Sequence, residues 1–150
     1  MFTAVPRRLS ILIAVLAALA SAVGLFWRGL YQDNAFVTAA WNGNDAVTLV
    51  LAVPLLVLAL VFTRRRASWA VLLWFGMLDY MLYNYAFYLF AARFNALFLV
   101  FAAIFGSAIF ALIFGLSGLD VNALAARFGE RTPRRQLALG HVTRQLEHVR

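Results

Sequence analysis

Residues 77–95, MLDYMLYNYAFYLFAARFN, decide how this chain folds. Joined to the apolar residues before them, they complete a run from Ala67 to Ala92 that is long enough to cross a bilayer as a helix. Within that run, however, stand Asp79, Asn84 and the four tyrosines Tyr80, Tyr83, Tyr85 and Tyr88. A strand reading fails, because the stretch shows no strict alternation and the run is far too long. The helical reading therefore holds, and it puts a carboxyl group at the centre of a membrane span.

Working outward, three further runs have the same character: Leu9–Trp27, Ala46–Thr63 and Ala96–Ser117. Their short connections make consecutive helices antiparallel neighbours. The expected fold is thus all-α, a four-helix transmembrane bundle over residues 1–118, followed by a basic helical tail over 119–150. Composition agrees. At 65% hydrophobic and 13% charged residues, the chain has too few charges to cover the surface of a soluble domain its size, so the surplus faces lipid. The net charge of +7 comes from short arginine clusters between apolar runs, the pattern of membrane topology and not of a nucleic-acid-binding stripe. The expected partners are the lipid bilayer and either further copies of the chain or a membrane complex, with no nucleic acid. With no cysteine, disulfides and thiolate metal sites are excluded.

Arginine placement orients the bundle. Arg7, Arg8, Arg64, Arg65, Arg66, Arg127, Arg131, Arg134, Arg135, Arg144 and Arg150 fall on one side, and Arg28 and Arg93 on the other. The positive-inside rule places both termini in the cytoplasm and the segment from Arg28 to Asp45 outside, in an inner (plasma) membrane. Residues 7–24 also have the basic start and small residues of a signal peptide, but the apolar run continues through Trp27, which favours a retained helix. Pro54 is expected to kink the second helix and free the Val50 carbonyl. Two stripes of small residues, Ala14-Ala18-Ala22 and Ala103-Ser107-Ala111-Gly115, are expected to be packing seams.

The candidate site follows from the polar residues of the third span. At about 100° per residue, Asp79, Tyr80, Tyr83, Asn84 and Tyr88 fall within one half of the helix, with Tyr85 pointing away. No span contains a basic residue to pair with Asp79, and intramembrane ionisable residues are functional candidates by default. The expectation is an outward-facing polar lane for a small molecule, ion or proton, centred on Asp79, running past Tyr80, Tyr83, Asn84 and Tyr88, with Ser107 at similar depth. A structural role for Asp79, as a hydrogen-bonded link between helices, competes with that reading, and a contact with a partner protein is the third. In the outer loop, Asp33, Asn42, Asn44 and Asp45 are candidates for the roof of the site. The competing reading of Trp41–Asp45 is a turn, with Asn44 or Asp45 capping the second helix.

No catalytic residues, cofactor or metal site are expected. There is no Ser–His–Asp set or phosphate loop, and His141 and His148 in the tail lack a third ligand. An accessory subunit of a larger membrane complex is the alternative to a binding protein, and a membrane enzyme has the least support. The tail itself reads as a short helix, Val121–Phe128, and then an amphipathic helix after Thr132-Pro133 with arginines beside Leu137, Val142, Leu146 and Val149.

The segments WNGNDAVTLVLAVPLLVLAL, LYNYAFYLFAARFNALFLVFAAIF and GLDVNALAARFGERTPRR together resemble a group of uncharacterised bacterial multi-pass membrane proteins, over roughly residues 9–135. The resemblance implies a membrane location and carries no assigned activity. It also implies further hydrophobic spans beyond the RTPRR stretch in such relatives, which would make this chain a shortened member.

The arginine distribution sets a topology test. A reporter fused after Arg66 or Arg131 is expected to read cytoplasmic and one near Asn42 external. A cytoplasmic signal at Asn42 would overturn the orientation.

Overall fold

The structure is a computed structural model that describes residues 4–65 and 67–122. The chain divides into two compact units, Met1–Leu119 and Asp120–Arg150. The expected tail helices, with His141 and His148, lie outside the described residues.

The first unit is all-α. Its helices are α1 (Ala4–Phe26), α2 (Ala35–Val47), α3 (Val53–Arg64), α4 (Ser68–Phe90) and α5 (Phe98–Ser117). A five-residue π-helical segment, Thr48–Ala52, joins α2 to α3, so that Ala35–Arg64 runs as one helix and the bundle has four members. Around the bundle the order is α1, α5, α4, α3, closing back from α3 to α1. Ile13, Ala17, Leu56, Ala59, Leu78, Met81, Ile104 and Ala108 are fully buried along its axis. Three of the four, Ala4–Phe26, Ala35–Arg64 and Phe98–Ser117, are long and apolar enough to cross a membrane. They point to membrane insertion. Helix α4 has the same 23-residue length as α1 but is not among the three, and it carries four tyrosines, Asp79 and Asn84.

The second helix begins well before the expected Ala46. Asn34 is its N-cap, its Oδ1 accepting from the Val37 N–H at 2.9 Å. Trp41-Asn42-Gly43-Asn44-Asp45 has the residue types of a turn, yet it lies inside α2, because its polar side chains bond sideways to other helices and not to their own backbone. The expected cap at Asn44 or Asp45 is therefore corrected to Asn34. The turn lies earlier, where Gly29 adopts φ +89°, a conformation suited to glycine, just after α1 ends. Pro54 stands directly after the π-helical segment. There the Val53 N–H bonds the Thr48 carbonyl, five residues back, so one widened turn precedes the proline that lacks an N–H.

The seams also shift in register. On α1 the buried stripe is Ser10, Ile13, Ala14, Ala17, Ala20, Ser21 and Gly24, not Ala14-Ala18-Ala22. On α5 it is Phe101, Ile104, Ala108, Ala111 and Gly115, with Ala103 exposed and Ser107 half-buried. Spacings of three and four keep one face of a 3.6-residue helix towards its neighbour, whereas a strict four-residue repeat drifts around it. Gly115 has a specific role: a Cβ there would come within 2.6 Å of the Trp74 ring. Trp74 is itself buried and its indole N–H donates to Ser10 Oγ at 2.9 Å, tying α4 to α1.

Gly115→Val should therefore force Trp74 off its seat and lower stability by about 1–3 kcal/mol, the usual cost of overpacking. Thermal unfolding of the detergent-purified protein measures it. A variant as stable as the parent would show that the α4–α5 seam is looser than described.

Candidate functional site

Two stripes of polar side chains meet between the second helix and α4. On α4 the stripe is Tyr80, Asn84 and Tyr88, spaced four apart and so on one face. Opposite stand Thr48, Asn44, Asp45 and Trp41. The helices are antiparallel, so the pairing runs in reverse order. Thr48 Oγ1 and Tyr80 Oη share a hydrogen bond at 2.9 Å, and Asn84 Nδ2 donates to Thr48 Oγ1 at 3.2 Å. Asn44 Nδ2 donates to Asn84 Oδ1. Tyr88 Oη donates to Asp45 Oδ1 at 2.9 Å and lies 3.3 Å from the Trp41 carbonyl. Thr48 is the first residue of the π-helical segment. Such bulges are frequent at functional sites.

Asp45 is the centre of this arrangement. It is only 2% exposed. Its second oxygen, Oδ2, accepts from the Tyr31 hydroxyl at 2.6 Å, so the two phenols hold both carboxylate oxygens. Tyr31 comes from the α1–α2 loop, and burial followed by its bond to Asp45 pushes its phenol well above the usual range, which keeps it a donor. No basic side chain bonds Asp45 among the described residues. The rings of Tyr31, Trp41, Tyr85, Tyr88 and Phe101 surround the pair, with Trp41–Tyr88 and Tyr88–Phe101 centroids at 4.9 and 4.8 Å. On the α1 side Gly24 is required, since a Cβ there would overlap Asp45 Oδ2 and lie 2.7 Å from Tyr31 Oη. Ser21, one turn earlier, is fully buried close to Asp45 and Tyr85, and among the described residues its Oγ makes no hydrogen bond of normal geometry.

Beside the ladder lies a groove of about 440 Å³. Trp41, Tyr83 and Phe87 supply aromatic walls, and Asn44, Asn84 and Tyr80 supply polar groups. Gly43 also lines it, and a Cβ there meets nothing within 4 Å. Among the described residues the Asn44 side-chain oxygen accepts no hydrogen bond.

The structure redistributes the residues expected from the sequence. Tyr80, Asn84, Tyr88, Asn44 and Asp45 come together. Asp79 does not: it is exposed on the opposite side of α4 from the ladder, with no hydrogen bond or ion pair among the described residues, so the lane is not centred on it. The expected half-helix spans 180°, and Asp79 lies about 140° around the axis from Asn84. Tyr83 is 65% exposed and reaches only the groove wall. Tyr85, expected to point away, is buried against Tyr88. Ser107 makes no contact with the ladder that is a hydrogen bond, and Asn42 is exposed. Asp33 roofs the site indirectly, accepting from the Trp41 indole N–H at 3.1 Å. Sequence reasoning missed Tyr31, Ser21, Gly24 and Thr48. The readable signal was the match between the Trp41-Asn44/Asp45-Thr48 and Tyr80-Asn84-Tyr88 spacings.

Among the described residues no cluster of histidine and acidic side chains could hold a metal ion. No family model, curated protein or solved structure matches the chain.

Tyr88→Phe removes one donor from a buried carboxylate and should lower stability by about 1–3 kcal/mol. Asp45→Leu should cost more, because two buried phenols then lose their acceptor. Equal stability of Asp45→Leu and the parent in thermal unfolding would rule out the bonded cluster.

Proposed function

We propose that this chain is a multi-pass membrane protein that binds a small molecule in the groove between the second helix and α4. It lies in a bacterial inner membrane with both termini cytoplasmic, as the arginine distribution supports. The α1–α2 loop then faces outward, and the groove opens near that side. The observation that carries the reading is the groove's lining, which sets Asn44, Asn84 and Tyr80 among Trp41, Tyr83 and Phe87. It is an open groove on the helix surface, of about 440 Å³.

The lining selects a class of ligand. Amide and phenol groups suit a hydrogen-bonding head, and the aromatic walls suit an apolar body. Asp45 follows Asn44 in sequence, and among the described residues no basic side chain bonds it, so an anionic head is disfavoured. The ligand is accordingly an amphiphile with a neutral or cationic head, able to arrive through the membrane.

Dodecanol, dodecylamine and dodecanoate share one chain and differ in head charge, which makes them suitable probes. With the protein in lipid nanodiscs, the alcohol and the amine should raise the unfolding temperature and the carboxylate should not. Gly43→Phe, which fills the groove without meeting a neighbour at Cβ, should abolish the effect. Equal responses to all three probes, or responses unchanged in Gly43→Phe, would refute the proposal.

A further inference from the structure

We infer that the outer face of α4 is a docking surface for a helix of a different subunit, one that carries an arginine or lysine at mid-membrane depth. The strip shares Tyr83 and Phe87 with the groove wall, but the inference is carried by Asp79, which does not line the groove. Asp79 lies at the centre of Ser68–Phe90, roughly 16 Å along the axis from either end. Its side chain is exposed and has no partner among the described residues. In a helix that crosses the bilayer, that position is the hydrocarbon midplane, where a carboxyl group without a partner is unfavourable.

The neighbours of Asp79 form a continuous exposed strip. Leu72, Gly76, Tyr83, Phe87 and Phe90 follow at spacings of three and four, which is one face of the helix. A Cβ at Gly76 meets nothing within 4 Å, so the glycine leaves room for another backbone to approach one turn from Asp79. Tyr83, one turn to the other side, is 65% exposed and forms an edge contact with Phe87. The strip thus combines a close-approach point, a carboxyl group and an aromatic wall.

Charge decides what covers it. The described arginines stand at the helix ends and in the loops: Arg7 and Arg8 at the start of α1, Arg64 and Arg65 at the end of α3, Arg28 and Arg93 at the opposite end of the bundle. A second copy, packed strip to strip, would bring no cation to the midplane and would set Asp79 against Asp79. A helix with a central basic residue supplies the missing partner. Intramembrane charges are found paired in this way.

The full-length protein can be tested in phosphatidylcholine vesicles with synthetic leucine–alanine helices that carry arginine or leucine at their centre. Energy transfer between labelled protein and labelled helix reads association. The arginine helix should bind the parent at least about tenfold more tightly than the leucine helix. Asp79→Leu should erase that difference while leaving the unfolding temperature unchanged or raised, since the side chain is exposed. Equal binding of the two helices overturns the inference, as does a preference that persists in Asp79→Leu. Self-association of the parent that exceeds its binding of the arginine helix and vanishes in Asp79→Leu also overturns it, by assigning the face to a second copy.

Discussion

A single carboxylate organises the upper half of the bundle. Asp45 accepts hydrogen bonds from Tyr31 in the α1–α2 loop and from Tyr88 on α4, and it rests on Gly24 of α1. Three separate parts of the chain therefore converge on one side chain of α2. Burying a carboxylate is unfavourable unless its lone pairs are occupied, and here two phenols occupy them with no cation among the described residues. The geometry leaves little freedom. The loop must return Tyr31 over the bundle, α1 must be glycine where it passes beneath, and α4 must present Tyr88 at that height. The aromatic rings around the pair follow from the same demand, because they shield it while adding large apolar contact area.

The rest of the polar ladder extends this constraint along the helix interface. Asn84, bonded to both Asn44 and Thr48, is buried and fixes the register of α4 against the second helix. In lipid, apolar side chains give little preference between one helix register and the next, and interhelical hydrogen bonds supply it. Thr48, the first residue of the π-helical segment, bonds both Tyr80 and Asn84 and so belongs to the same register. The groove lies against this ladder and shares its Asn44, Asn84 and Tyr80, so the ladder and the proposed binding site are one construction.

Helix α4 consequently has two polar faces with different surroundings. The inner one, Tyr80-Asn84-Tyr88, is satisfied within the chain. The other, Asp79 with Tyr83, is exposed. Those polar residues accompany the absence of α4 from the three helices that are long and apolar enough by composition to cross a membrane.

The sequence by itself determined the class of the molecule. Run length and the scarcity of charge required four apolar helices, because so little polar surface cannot cover a soluble domain. It also singled out the polar third span and the Asn44-Asp45 pair, since such residues are rare in that company. The orientation of those residues was decided only in three dimensions. A helical wheel gives angles relative to a helix's own axis, and in a chain apolar on nearly every side no hydrophobic face tells which angle points inward. Tertiary contacts made that choice, turning Asn84 and Tyr88 in and Asp79 out. The extended start of the second helix was hidden for a related reason. Asn42, Gly43, Asn44 and Asp45 carry turn propensity, and only the partners supplied by α4 and the α1–α2 loop make a helix the better use of them. Tyr31 and Gly24 were illegible in the sequence because their roles exist only where distant segments meet.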